Sequence, residues 1–136
     1  LEADYNEDGT VRSIVTSNFG DIRVYADNFV LASGSFFSKG LIATPDKVFE
    51  PVFGIDLTFS DKRDVWFDRN FWNKQNYISY GAKVSKFLHA SIDGKPVGNL
   101  YAIGSLIGGS NTLYEGCGGG IALLTALAAA DGILEK

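Results

Sequence analysis

"YEGCGGGIALLTALAAADGIL" occupies residues 114–134. Four glycines, Gly116, Gly118, Gly119 and Gly120, surround Cys117, the only cysteine of the chain, and an alanine- and leucine-rich run follows at once. Glycine disfavours a helix and alanine favours one, so the junction is sharp. The pattern predicts a helix over residues 119–134 that is entered through bare backbone. The first N–H groups of a helix have no intrahelical acceptor and carry a partial positive charge. Glycines let a ligand approach those groups with no Cβ in the way. Such a junction suits a phosphate or an electron-rich ring oxygen. The competing reading is that the glycines only let the helix pack closely on a sheet.

Upstream of this junction lies "LYAIG" (100–104), a short, wholly apolar strand ending in glycine. An earlier stretch, "FVLASG" (29–34), has the same form: a continuous apolar run over 29–32, the pattern of a strand buried on both faces, stopped by Gly34. In open α/β sheets, ligands lie beyond the carboxyl ends of such strands. That directs attention to Ser33, Gly34, Gly104 and Ser105, and to the glycine-rich stretch that follows. The specific nucleotide motifs are not met. "GCGGGI" departs from G-x-G-x-x-G at Ile121, and no lysine follows the glycines as a phosphate loop requires.

The remaining elements are read more coarsely. "TVRSIVTS" (10–17) and "IRVYA" (22–26) are β-rich and flank a turn at "NFGD", forming a hairpin. Residues 35–60 read as turns and short strands, broken by Pro45, Pro51 and Gly54. Residues 61–76 read as irregular with one helical turn, and 77–86 as extended. Two turns are expected at Asp93-Gly94 and Val97-Gly98-Asn99. The fold class expected is α+β or partial α/β, with a hairpin, short parallel strands and a C-terminal helix.

Composition narrows the function. The chain has 136 residues, 46% of them hydrophobic and 13% aromatic, enough for a core. Its net charge is −4 and it has no basic block, so neither nucleic acid nor an anionic membrane surface is an expected partner. The longest largely apolar stretch, residues 121–130, is too short to span a bilayer. One cysteine and one histidine exclude an internal disulfide and argue against a His/Cys metal site. The absence of methionine, even at position 1, points to a processed chain or to a segment of a longer protein, and the segment is the preferred reading.

"NLYAIGSLIGGSNTLYEGCGGGIALLTALAAA" (99–130) and "YADNFVLASGSFFSKGL" (25–41) resemble the B-type flavoprotein subunit of anaerobic glycerol-3-phosphate dehydrogenase. That family is related to the flavoproteins of fumarate reductase and succinate dehydrogenase. In the resemblance, Ala32-Ser33-Gly34 stands where those proteins have an Ala-Thr-Gly-like turn beside the flavin. The 100–104 strand returns to the flavin, and the helix after Gly120 faces its ring. The resemblance implies a Rossmann-like flavin domain lacking its N-terminal G-x-G-x-x-G unit. It is built from 10–40 and 97–136, with 41–96 as an inserted or cap part, and residues 1–136 form one segment of a larger protein. It implies Ser33, Gly34, Gly104, Ser105, Glu115, Gly118, Gly119 and Gly120 as cofactor-binding residues. It also implies FAD or FMN in the whole protein, with none expected on this segment alone. The activity implied is electron transfer from glycerol-3-phosphate oxidation toward an iron–sulfur subunit and quinone. The partners would be a catalytic flavoprotein subunit and a membrane iron–sulfur subunit. The implied location is cytoplasmic, peripheral to the inner face of the membrane through those partners. An alternative of another class is a non-catalytic α+β binding module whose glycine loop is structural.

Other residues carry two readings each. Cys117 is a redox thiol or a small packed residue. His89 is a proton carrier or a packing residue. Arg63 and Arg69, with Lys62, bind a substrate phosphate or pair with Asp61, Asp64 and Asp68. Trp66, Phe67, Phe71 and Trp72 form a partner surface or a small core beneath a loop, and the core is preferred.

Overall fold

A computed structural model describes residues 2–16 and 20–135. Strands β1 (Glu2–Tyr5), β2 (Val11–Val15) and β3 (Arg23–Tyr25) form an antiparallel sheet in that order. The β1–β2 turn is held by Asp8, whose carboxylate accepts from the Thr10 amide at 2.9 Å and the Thr10 hydroxyl at 2.6 Å. Those two bonds hold the Asp8 carboxyl below its ordinary pKa. An Arg23–Asp4 ion pair crosses the sheet. The hairpin expected from 10–17 and 22–26 is present as β2 and β3, while its turn residues Asn18 and Phe19, with Ser17, lie outside the described residues.

The second sheet carries the site. It contains β4 (Phe29–Leu31), β9 (His89–Ile92) and β10 (Lys95–Ala102), ordered β4-β10-β9. β4 runs parallel to β10, with Phe29, Val30 and Leu31 opposite Leu100, Tyr101 and Ala102, whereas β9 and β10 form an antiparallel hairpin. Two small pairs lie between these strands in the chain: β5 (Ile42–Ala43) with β6 (Val48–Phe49), and β7 (Leu57–Thr58) with β8 (Gly81–Ala82). Helix α1 (Thr112–Glu115) precedes the long helix α2 (Gly118–Leu134). The core is a cluster that includes Val11, Phe29, Leu31, Leu41, Leu100 and Leu106.

A half-buried asparagine joins the two sheets, and a buried glutamate braces a connection. Asn99 in β10 donates to the Val11 carbonyl and accepts from the Val11 amide, both at 2.8 Å, standing in for a strand partner of β2. Glu50, 1% exposed, accepts from the amides of Val52, Phe53 and Gly54 at 2.8, 2.7 and 3.1 Å. Its carboxylate thereby satisfies a turn whose backbone has no strand to pair with. Two glycines permit backbone-to-backbone contact: a Cβ on Gly40 would collide with the Gly34 carbonyl, and one on Gly81 with the Leu106 carbonyl.

Several expectations are corrected. The 29–32 run is not buried on both faces: Phe29 and Leu31 are buried, but Val30 is 48% exposed because only one face of β4 meets the core. Val97-Gly98-Asn99 is not a turn but the middle of β10. There the register against β9 shifts between Pro96 and Tyr101, and Asn99 bonds across to Val11. Within 77–86, only Gly81 and Ala82 are in a strand, and Asn76–Ser79 is a 3-10 turn. β1 and α1 were not expected. Residues 61–76 are irregular with a single 3-10 turn at Arg63–Val65, as read from the sequence.

Candidate functional site

Because β4 and β10 are parallel and in register, their carboxyl ends emerge at one edge, and the Ile103 amide donates to the Leu31 carbonyl at 3.1 Å. Ser33 and Gly34 therefore lie beside the 3-10 turn Gly104–Leu106. Gly34 is left-handed, with φ +80°, and a Cβ placed on it would strike the Ser38 hydroxyl and come within 3.4 Å of Ser105 Oγ. Gly104 is left-handed too, with φ +68°, and nothing lies within 4 Å of its Cβ position. Ser33 Oγ is buried without a hydrogen-bond partner among the described residues, which is costly unless something else supplies one.

A second stretch of bare backbone opens α2. Helix α1 is bracketed by Asn111, whose Oδ1 accepts from the Tyr114 amide at 3.1 Å, and by left-handed Gly116. Cys117 then takes the N-cap position of α2 without a side-chain capping bond, so Gly118, Gly119 and Gly120 form an uncapped first turn. Cβ positions on Gly116, Gly119 and Gly120 meet nothing within 4 Å, and one on Gly118 makes only ordinary contact with Thr112 at 3.7 Å. The glycines are therefore not required by close packing of the helix, in contrast to Gly40 and Gly81. Glu115 is exposed, and its carboxylate accepts from the Cys117 thiol at 3.6 Å.

Two hydrogen-bonding side chains tie these parts together, and neither was singled out from the sequence. Thr125 Oγ1 accepts from the Gly104 amide at 2.9 Å and joins α2 to the turn after β10. Asn111, 1% exposed, donates to the Gln75 carbonyl at 2.8 Å, fixing α1 to the 68–75 loop. An asparagine followed by four helix-compatible residues and glycine is a legible short-helix signal. A lone threonine in an alanine-rich helix is not.

His89 opens β9 opposite Tyr101, near the carboxyl end of β10, with its ring 4.4 Å from that of Tyr101. The other candidates lie in the 61–76 stretch. Arg63 places its guanidinium 4.0 Å over the Trp66 ring and donates to the Thr44 carbonyl. Among the described residues, Arg63, Arg69 and Lys62 form no ion pair with Asp61, Asp64 or Asp68, so the pairing expected there is not what holds them. The aromatic cluster splits. Trp66 is buried against Phe36 and Tyr80, with centroids 6.2 and 5.2 Å away, whereas Phe71 and Trp72 are 79% and 85% exposed. Phe71 and Trp72 line a groove of about 390 Å³ with Phe37, Leu113 and Tyr114.

A family model described as "FAD binding domain" matches residues 2–121. The chain belongs to the FAD-binding-domain family. Curated relatives named as the B-type subunit of anaerobic glycerol-3-phosphate dehydrogenase are similar to it. The Haemophilus influenzae protein is 47% identical over 135 residues, 96% of this chain and 31% of its own length. The Pectobacterium carotovorum protein is 46% identical over 116 residues, 85% of this chain and 28% of its own. The Vibrio vulnificus protein is 39% identical over 131 residues, 95% and 30% respectively. The chain thus spans about 30% of the length of these relatives. No solved structure matches it. Among the described residues, no helix is long and apolar enough to cross a membrane, and no group of histidine, cysteine and carboxylate side chains could hold a metal ion.

Proposed function

We propose that residues 1–136 are one segment of a larger flavin-dependent oxidoreductase subunit and supply part of its flavin site. Residues 10–40 and 97–136 would contribute to the flavin domain and 41–96 to an inserted or cap part. The observation that carries this reading is the bare, uncapped first turn of α2, open where a Cβ would stand, on a helix that Thr125 ties to the turn following β10. Reduction of a flavin places negative charge at its N1/C2 carbonyl edge, and a helix N-terminus stabilises negative charge. The residues fit that demand: Gly118, Gly119 and Gly120 offer unobstructed amides, and Glu115 leads into them. Gly104 leaves open space where a Cβ would stand, with Ser105 exposed beside it, and Ser33 Oγ beside Gly34 has no hydrogen-bond partner among the described residues. FAD is favoured over FMN by the description of the matching family.

In this reading the bound flavin supplies the two-electron chemistry. The chain's own residues bind and orient it: Gly34 and Gly40 let the loop after β4 close on itself, the Gly104 turn sets one wall, and the α2 amides hold charge at the other. The names of the relatives support a role in anaerobic glycerol-3-phosphate oxidation. Electrons would pass toward an iron–sulfur subunit and quinone, with a separate catalytic flavoprotein subunit and a membrane iron–sulfur subunit as partners. The protein would lie in the cytoplasm, held peripherally at the membrane by those partners.

The test is absorption spectroscopy of the intact protein, alone and assembled with its partner subunits, before and after glycerol-3-phosphate is added. Flavin bands with one flavin released per chain on denaturation, bleached by the substrate in the assembly, are the expected result. A colourless intact protein that takes up no added FAD or FMN would contradict it and favour a non-catalytic binding module.

A further inference from the structure

α2 meets the rest of the chain through an unusual face. Its more buried positions are Gly118, Ile121, Thr125, Ala129, Gly132 and Ile133, and four of the six are small. Small side chains allow close approach, but they interlock weakly, so they fix neither the rotation nor the axial position of a helix. Thr125 supplies what they lack. Its hydroxyl donates to the Ile121 carbonyl at 2.6 Å, the ordinary back-bond of a helical threonine. The same oxygen accepts from the amide of Gly104 at 2.9 Å, across twenty-one residues of chain. Gly104 is the left-handed residue at which the chain leaves β10, and Ile121 directly follows the glycine turn. A single half-buried oxygen therefore joins the β10 exit turn to the first turns of α2.

We propose that Thr125 is a positioning residue for the flavin: its hydroxyl sets the separation between the Gly104–Ser105 wall and the Gly118–Gly120 amides. The proposal rests on the flavin reading given above. Thr125 itself touches no cofactor. Replacing its hydroxyl with a methyl group leaves shape and volume nearly unchanged but strands the Gly104 amide without an acceptor, and the exit turn must then move to recover one. The displacement falls on the distance between the two walls, so its signature is in cofactor binding and potential rather than in fold stability alone.

The experiment uses the intact protein and compares wild type, Thr125→Val and Thr125→Ser. The flavin dissociation constant and midpoint potential are measured by titration and spectroelectrochemistry, and the melting temperature of the flavin-free form by thermal unfolding. Thr125→Val is expected to raise the dissociation constant about tenfold, equivalent to about 1.4 kcal/mol. It is also expected to lower the potential, because the α2 amides stabilise the reduced, anionic form less well. Thr125→Ser keeps the hydroxyl and is expected to stay within about twofold of wild type. Should Thr125→Val not fold, Thr125→Ala gives the same comparison with a residue that favours helix. Unchanged flavin affinity and potential in the hydroxyl-free variants would overturn the proposal. So would equal weakening by Ser and Val, or a fall in melting temperature with no effect on the flavin. A wild-type protein that binds no flavin would instead overturn the underlying reading, and the proposal with it.

Discussion

At the scale of single residues, the chain is organised by polar side chains placed where backbone groups would otherwise go unpaired. Glu50 is the clearest case, with its buried carboxylate accepting three successive amides. Glu50→Ala would leave those donors without acceptors and is expected to destabilise the fold by about 3 kcal/mol or more, while Glu50→Gln, which retains an acceptor oxygen, costs less. Denaturant unfolding measures both, and equal, small losses would show that water replaces the carboxylate freely. Roles of this kind were largely illegible in the sequence. Glu50 precedes Pro51 in a stretch without periodicity, and Asn99 sits beside a glycine in what reads locally as a turn. Their partners, Val52–Gly54 in one case and Val11 in the other, are set by tertiary placement. Glycine and strand-end signals are local and leave a different trace. Gly34 and Ser105, seventy-one positions apart, approach each other because the parallel β4–β10 register brings two strand ends to one edge.

At the scale of elements, the sequence was legible where a hydrophobic or propensity signal was local. β2, β3, β4, the last half of β10 and α2 all follow from alternation, apolar runs and the glycine-to-alanine junction. β1 was not legible, because "EADY" alternates over only four residues, three of them (Glu2, Ala3 and Asp4) of types depleted in strands, and it pairs with Val11–Val15. α2 holds the more informative departure. Its leucines point outward: Leu123 is 71% exposed, and Leu124, Leu127 and Leu134 are exposed with it, while the only fully buried residue among those described in the helix is the small Ala129. A helix apolar all round belongs in an interior. Leu123→Gln and Leu127→Gln are therefore expected to change the stability of the 136-residue chain by no more than about 0.5 kcal/mol each. In a protein of the relatives' length that covers this face, each is expected to cost about 2–5 kcal/mol. Unfolding measurements on both proteins make the comparison. A small effect in both would mean the leucines face water.

At the scale of the whole molecule, the two edges of the proposed site come from opposite ends of the chain: the β4 end and the β10 end lie together, and α2 closes against the second of them. β9, from the 41–96 stretch, is hydrogen-bonded to β10, so that stretch and the 97–136 stretch share a sheet. The chain matches relatives about three times its length, and its open glycine face is the kind of surface the remainder of such a protein would complete. Two classes of glycine allow this to be tested without confusing fold with function. Gly40 and Gly81 are demanded by backbone contact, whereas Gly119 and Gly120 have open space where a Cβ would go. The most direct measurement is flavin affinity of the intact protein carrying Gly119→Ala or Gly120→Ala, set beside its thermal stability without flavin. The predicted result is a flavin-free form at least as stable as wild type, gaining up to about 1 kcal/mol from helix propensity, together with a flavin dissociation constant raised about tenfold or more, a loss of about 1.4 kcal/mol. Alanine variants that bind flavin as tightly as wild type would contradict the account, because the bare amides would then have no ligand to admit.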